Sequence, residues 1–244
     1  MGLKPRGKIK KYVGIEIEFV SLFNLSDCRN KLREHKMHKW CDIVTDGSIE
    51  GPSGEDLRSD EWNDQSLWGL ELRILSTEGD LSKRMPIVQE FLNEVAMQVN
   101  ESCGLHVHLD MRNRDIETVA KIFLNRQQEF RGMVPYHRQE STYCHPLRED
   151  SLYEERIEQL PFDWRTATYP RKVTKIFTTR KSGRYSDINV TAYNKHKTIE
   201  IRIHEGTLDC SEILNWCKYL ICICNGKEGS IDRSYVNKRI ASCS

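Results

Sequence analysis

The chain has 244 residues, 37 basic and 36 acidic, and its formal net charge of +1 does not favour nucleic acid or a membrane surface as the main partner. This length suits one large α+β domain or at most two, and we expect no membrane span because no stretch approaches about eighteen consecutive apolar residues. Nine cysteines without a Cys-x-x-Cys spacing, and a basic N-terminus without the apolar core of a signal peptide, predict a cytoplasmic protein with free thiols.

The first predicted strand covers residues 12–20 and follows a basic tail over residues 1–11. Residues 14–19 read Gly-Ile-Glu-Ile-Glu-Phe, in which apolar and charged side chains alternate. Because residues two apart on a strand project from the same face, Glu16 and Glu18 should point together, away from the apolar side chains.

A short helix and a second strand are predicted next. Residues 24–40 are polar and could hold the helix, and the strand at 40–45 ends in a turn signal formed by Asp46, Gly47 and Ser48, whose polar side chains can hydrogen-bond their own backbone. Residues 50–64 carry six acidic side chains and one arginine. They predict a variable acidic loop, either an exposed connection or a lid.

The alternation returns in residues 68–75, where Glu71 and Arg73 should share one face of a strand. Residues 80–100 then place apolar side chains at spacings of three and four, which predicts an amphipathic helix. This helix leads directly into the stretch that carries two histidines.

Residues 102–110 read Ser-Cys-Gly-Leu-His-Val-His-Leu-Asp. On a strand, His106, His108 and Asp110 would stand in a row while the leucines and the valine pack the other face. A row of two imidazoles and a carboxylate is the beginning of a site, and it needs partners from other strands.

The following segment is less regular. Residues 114–131 repeat the helical spacing, whereas residues 132–183 contain four prolines and show no clear period, so they are treated as an insertion without assigned elements. Residues 165–184 contain seven cations and no acid: Arg165, Arg171, Lys172, Lys175, Arg180, Lys181 and Arg184. This basic rim suits phosphate or an acidic substrate and leaves a nucleic-acid contact open, but a solvated loop explains it equally well.

Two further strands are predicted near the end of the chain. Residues 184–190 form the first, and residues 198–204 form the second. On the second strand Glu200, Arg202 and His204 alternate with isoleucines, which predicts that all three face the same side.

A last helix is predicted over residues 209–224 by its apolar stripe, with Asp209 or Ser211 as its cap. Its cysteines are better explained as small core residues than as metal ligands. The main domain is therefore expected over residues 12–226, followed by a C-terminal tail over residues 227–244.

The charged face of the predicted sheet collects acids and an imidazole from four strands. A half-solvated antiparallel sheet shows the same alternation without any function, but few plain polar residues stand between the charged ones here. The set consists of Glu16, Glu18, Glu71, Glu200 and His106. Clustered carboxylates repel each other unless cations lie among them, and oxygen ligands favour Mg²⁺ or Mn²⁺ over zinc.

Three arginines accompany this set: Arg73, Arg184 and Arg202. Metal ions on carboxylates beside arginines describe a place for phosphate groups. The sequence contains no Gly-rich phosphate loop of the usual kinds. The residues alone therefore predict a metal-dependent, phosphate-handling sheet.

Six motifs in order, followed by Gly206-Thr207-Leu208-Asp209, resemble those of the putative amidoligase family, which is similar to glutamine synthetase and glutamate-cysteine ligase. They are Gly14-x-Glu16-x-Glu18-Phe19, Asp46-x-Ser48, Gly69-Leu70-Glu71, Gly104-Leu105-His106-Val107-His108, Arg184-Tyr185-x-x-x-Asn189 and Ile199-Glu200-Ile201-Arg202. The resemblance runs from residue 14 to residue 209. The segments 50–64 and 132–183 match nothing in it, and substrate choice is expected to lie there.

This resemblance implies a curved antiparallel sheet of the glutamine synthetase type, with ATP and two or more Mg²⁺ in its concave face and helices on its convex face. Metal-ligand positions then fall on Glu16, Glu18, Glu71, His106 and Glu200. Positions near the transferred phosphate fall on His108 and Arg202, and nucleotide or substrate contacts fall on Arg73, Arg184 and Asn189. The resemblance gives Asp46 a position near the incoming amine.

The activity implied by the resemblance joins a carboxylate to an amine. The carboxylate would attack the γ-phosphoryl group of ATP to form an acyl phosphate, and the amine would then displace phosphate to leave an amide or isopeptide bond. Asp46 or a neighbouring carboxylate would accept the proton of the amine. The substrates would be amino acids, peptides or proteins.

Other functions fit the same residues. His106 and His108 could bind zinc in a metal-dependent hydrolase, and a phosphotransferase to guanidino groups could use the same sheet. A non-catalytic relative could bind a nucleotide or a protein, although such a protein has little need for several repelling carboxylates.

Overall fold

The fold of this computed structural model is described for residues 11–51, 67–163, 165–179 and 183–243. Its strands are β1 (Tyr12–Ser21), β2 (Cys41–Thr45), β3 (Trp68–Thr77), β4 (Gly104–Asp110), β5 (Tyr153–Gln159), β6 (Arg171–Phe177), β7 (Ile188–Asn189) and β8 (Thr198–Glu205). Its α-helices are α1 (Leu25–Glu34), α2 (Leu81–Val95), α3 (Ile116–Asn125), α4 (Gln127–Arg131), α5 (Tyr136–Gln139), α6 (Ala192–His196), α7 (Cys210–Cys224) and α8 (Arg233–Cys243).

Six strands form one antiparallel sheet in the order β2-β3-β1-β4-β8-β7. Strands β5 and β6 form a separate two-stranded ribbon. The predicted α+β class with an antiparallel sheet is therefore confirmed. Among the described residues, no helix combines the length and the apolar composition that crossing a membrane requires.

The main sheet has one apolar face, which packs against helices. Along β1, Val13, Ile15 and Ile17 are almost fully buried in the same core as the apolar side of α2 and α7. These two helices also contact each other. Because side chains alternate along a strand, the charged residues between the isoleucines point to the opposite face.

The helix predicted over residues 80–100 is shorter than expected. It ends at Val95, because Ala96 adopts an extended backbone and the Met97 N–H donates to the carbonyl oxygen of Val20 at 2.8 Å. The helix predicted over residues 114–131 is divided at Arg126, whose non-helical backbone separates α3 from α4.

Two predictions near the chain end are wrong in part. The strand expected over 184–190 is only the pair Ile188–Asn189, because Gly183 to Ser186 form a turn closed by the Ser186 N–H on the Gly183 carbonyl. The C-terminal tail expected over 227–244 contains α8, whose Tyr235 is buried and donates to Glu212 at 2.7 Å.

The predicted insertion holds α5 and the ribbon. At the base of the ribbon, Tyr153 pairs with Phe177 and their ring centroids lie 6.1 Å apart. Farther along, Ile157 and Val173 are 58% and 55% exposed. The ribbon therefore adds little to the core.

The predicted basic rim is only partly a cationic surface. Lys172 and Lys175 on β6 pair in register with Glu158 and Glu155 on β5, so opposite charges face each other across the ribbon. Arg180 and Lys181 lie outside the described residues, as do residues 1–10 of the basic tail and residues 52–64 of the acidic loop.

Candidate functional site

The register of the antiparallel strands brings the charged side chains into rows on the sheet face opposite the helices. Glu16 on β1 is flanked by Arg73 on β3 and by His106 on β4. One step along the sheet, Glu18 lies opposite Glu71. In the other direction, His108 lies opposite Glu200, and Glu200 lies opposite Asn189 on β7.

Glu16 lies between the two imidazoles. Its Oε2 atom is 3.2 Å from Nδ1 of His106, and its Oε1 atom is 3.3 Å from Nε2 of His108. His106 also approaches Glu18, with 3.6 Å between Nε2 and Oε1. Both histidines also lie within 4.0 Å of Glu200, so they connect the carboxylates of β1 with the carboxylate of β8.

The imidazoles and Arg202 keep two of the carboxyl groups ionised. Burial alone would raise the pKa of Glu16 and Glu200. Hydrogen bonds and charge from the histidines outweigh burial at Glu16, and the charges of His108 and Arg202 outweigh it at Glu200, so the pKa of each lies below its ordinary value.

The other two glutamates behave in the opposite way. Burial raises the pKa of Glu18. Burial and the nearby Glu16 carboxylate together raise the pKa of Glu71 to about 7. Glu18 and Glu71 are thus the carboxyl groups most readily protonated in the metal-free site, and a divalent cation that binds them would release protons.

Three groups of side chains each place one possible ligand atom per residue within 4.8 Å of one another. They are Asp46 with Glu18 and Glu71, Glu71 with Glu16 and His106, and Glu16 with His108 and Glu200. Neighbouring groups share a residue, so the three form a continuous series across the sheet. Their donor atoms are mainly carboxylate oxygens, which fit Mg²⁺ or Mn²⁺.

Arg202 has a buried nitrogen atom without a partner beside the carboxylates. The Nη1 atom of Arg202 donates to Glu200 at 2.6 Å. In contrast, the buried Nε of Arg202 makes no hydrogen bond among the described residues. Because a buried polar atom without a partner is costly, this atom fits a site that receives an anionic group.

Two motif glycines permit the close approaches on which the site depends. A Cβ atom on Gly104 would lie 2.9 Å from Nε2 of His106, while the Gly104 N–H donates to Glu18 at 2.6 Å. A Cβ atom on Gly69 would lie 2.8 Å from the carbonyl oxygen of Asp46. Gly69 thus allows the Asp46 turn to lie against β3.

Asp46 is both a turn former and a member of the site. Its Oδ1 atom accepts the Ser48 N–H at 2.7 Å and the Ser48 hydroxyl at 2.6 Å, as the sequence pattern predicted.

Asp110, the last residue of the row predicted with His106 and His108, belongs to none of the three groups. Its carboxylate accepts hydrogen bonds from the Arg112 guanidinium group at 2.7 and 2.8 Å.

The prediction that His204 shares the charged face is wrong. The register between β4 and β8 shifts between Leu105 and Val107, so that Arg202 and Ile203 together oppose the single residue His106. This β-bulge changes the alternation. His204 is fully buried on the helix side, where its ring lies 4.9 Å from that of Trp216.

The charged face borders an open cavity of about 400 Å³. All the predicted site residues line it, including Arg73, Arg184 and Asn189. Arg184 stacks over the ring of Tyr185 at 5.1 Å, and Tyr143 meets that ring edge-on at 5.6 Å.

Sequence analysis missed five residues that line this cavity: Tyr143, Thr191, Ala192, Lys195 and His196. Tyr143 comes from the segment without periodicity. Lys195 and His196 lie on α6, a helix of five residues, which is too short for a hydrophobic period to reveal it.

A family model described as a putative amidoligase enzyme matches residues 8–223 of the chain. The match includes every strand of the main sheet and every residue of the three carboxylate groups. No curated protein matches the chain.

Proposed function

The chain belongs to the amidoligase family, and on that premise we propose that it is an ATP-dependent carboxylate–amine ligase using two or more Mg²⁺. The observation that carries this proposal is the series of three carboxylate groups lying beside the free donor of Arg202. A sheet of the glutamine synthetase type, with ATP bound over its charged face, would use this series directly.

The metal ions would be held by Glu16, Glu18, Glu71, His106 and Glu200. His108 and Asp46 each complete one of the three groups. A divalent cation held by these residues would supply positive charge to the phosphate groups of ATP. Asn189 donates to Glu200 at 2.7 Å and thereby fixes the orientation of that carboxylate.

The phosphoryl group of ATP would be stabilised by Arg202 and His108, since both line the cavity beside the carboxylates. Arg73 and Arg184 would contact the nucleotide or the substrate. The substrate carboxylate would then attack the γ-phosphorus to give an acyl phosphate and ADP.

In the second step an amine would attack the acyl carbon and release phosphate. We assign the accepting base to Asp46, because Ser48 occupies only its Oδ1 atom; its Oδ2 atom would then take the proton rather than bind a metal ion. The products would be an amide or isopeptide bond and inorganic phosphate.

Calorimetric titration of ATP with and without Mg²⁺ tests the proposal, followed by measurement of phosphate release on adding pooled amino acids and peptides. We expect ATP to bind only with the metal, and phosphate release to require both a carboxylate and an amine. Absence of ATP binding at every Mg²⁺ concentration would contradict the proposal and favour a metal-dependent hydrolase, which nucleotide-independent hydrolysis would reveal.

Metal affinity should increase with pH. Below pH 7 the metal-free site holds a proton on Glu71, whose pKa is about 7, and the raised pKa of Glu18 acts in the same direction. Because Mg²⁺ must displace the proton, affinity should rise roughly tenfold per pH unit up to about pH 7 and then level off.

The stability of the metal-free protein should show the opposite trend. The pKa of Glu71 is higher in the folded protein than in the unfolded chain, so protonation of this group stabilises the fold at low pH. This contribution is lost as the pH rises from the pKa of the unfolded chain toward about 7. Melting temperatures with and without Mg²⁺ from pH 5 to 8 measure both trends. Glu71→Gln is the control, and an unchanged pH dependence in that variant would refute the assignment to Glu71.

A further inference from the structure

Arg138 is a buried arginine outside the candidate site. It belongs to α5 and is only 3% exposed. No carboxylate of the described chain lies within ion-pair distance of its guanidinium group. Instead Nη2 donates to the carbonyl oxygen of Arg202 at 2.9 Å, and Nε donates to that of Ile203 at 3.3 Å.

These two carbonyl groups belong to the bulge. Arg202 and Ile203 are the two residues that oppose His106 alone, and a bulge leaves such backbone groups without their regular partners across the ladder. Arg138 supplies donors to both carbonyls. It therefore satisfies the main chain at the point where β8 departs from regular pairing.

The backbone of Arg202 is held from both sides. Its carbonyl oxygen accepts from Arg138, and its N–H donates to the carbonyl oxygen of Asp187 at 2.9 Å. The side chain between these two bonds reaches Glu200 at 2.6 Å and leaves its Nε atom free for an anion. The guanidinium group therefore extends from a main chain that is held at both its N–H and its carbonyl oxygen.

We propose that Arg138 is a positioning residue that holds the main chain at the bulge and thereby fixes the Arg202 guanidinium in place for the phosphate of the bound nucleotide. This role rests on the proposed ligase function. Without Arg138, two buried carbonyls lose their donors, and the main chain from which the Arg202 side chain extends is no longer fixed.

The test compares Arg138→Met, Arg202→Met and the double variant. We expect each single change to weaken MgATP binding about 10- to 100-fold. The double variant should lose little more than Arg202→Met alone, because the two residues act as one unit. Binding of Mn²⁺ to Arg138→Met should stay within threefold of the unmodified protein, since Arg138 belongs to none of the three carboxylate groups.

Arg29→Met is the matched control. Arg29 also donates to a strand carbonyl, that of Ile43 on β2 at 3.2 Å, but it has no contact with the bulge. This variant should bind MgATP normally. Arg138→Lys provides a second variant that keeps the charge and can serve only one carbonyl well, so its loss of affinity should be intermediate.

A second readout needs no nucleotide. In ¹⁵N-labelled protein, the Nε–H signal of Arg202, assigned by its loss in Arg202→Lys, should shift in Arg138→Met and in Arg138→Lys. It should stay in place in Arg29→Met. A protein that binds no ATP would contradict the ligase proposal alone, while this signal would still decide the role of Arg138. Unchanged MgATP affinity together with an unchanged Arg202 signal in a folded Arg138 variant would overturn the inference.

Discussion

Glu16→Gln is expected to lower ATP turnover more than about 100-fold while the protein stays folded. Glu16 belongs to two of the three carboxylate groups and lies within 3.3 Å of both imidazoles. Glutamine has nearly the same shape but carries no charge, so it is a much weaker ligand for a divalent cation in both groups. Removing the charge also relieves repulsion on Glu71, and the metal-free fold should therefore tolerate the change.

Phosphate release and Mn²⁺ titration measure this effect, and circular dichroism checks the fold. Glu200→Gln should behave similarly, since Glu200 belongs to the third group. Glu34→Gln is the matched control, because Glu34 is an exposed residue of α1 that is 62% accessible. A Glu16→Gln enzyme with full activity would count strongly against the whole metal assignment.

Asp187→Ala is expected to destabilise the fold by about 3–5 kcal/mol, the typical cost of removing one partner from a buried ion pair. Asp187 is fully buried and pairs with Arg131 at 3.0 Å. Its carboxylate also accepts from Gln127 and from the N–H groups of Leu147 and Ile188. Alanine would leave the Arg131 charge and these donors without an acceptor.

Chemical denaturation measures the change in the free energy of unfolding. Asp187→Asn should lose less, because it keeps an oxygen acceptor for the N–H groups. Glu34→Ala, which breaks the exposed pair with Lys31, should cost less than about 0.5 kcal/mol. A loss below about 1 kcal/mol for Asp187→Ala would show that the buried network contributes little.

Strand periodicity predicted much of this architecture. Four stretches with alternating side chains became β1, β3, β4 and β8, and the glutamates of the site do share one face. Period-two alternation is a local property and can be read from the chain. Which rows meet across the sheet depends on register, which is set by loops and turns that periodicity does not describe.

The failures have physical causes as well. His204 was placed on the wrong face because a bulge adds one residue to β8 without any change in the local pattern. The helix α8 has only two buried side chains, Tyr235 and Val236, so its apolar stripe is too weak to detect. No sequence pattern could indicate the role of Arg138, because its partners are main-chain carbonyls distant in sequence.

The ribbon leaves and rejoins the body of the protein at one point, where Tyr153 and Phe177 face each other. Residues may therefore be added to or removed from its strands in cross-strand pairs without displacing any residue of the main sheet. Such a chain can diverge by insertion and deletion at its periphery while the charged rows stay unchanged. Length variation among relatives should then concentrate beyond this junction and be absent from β1, β4 and β8.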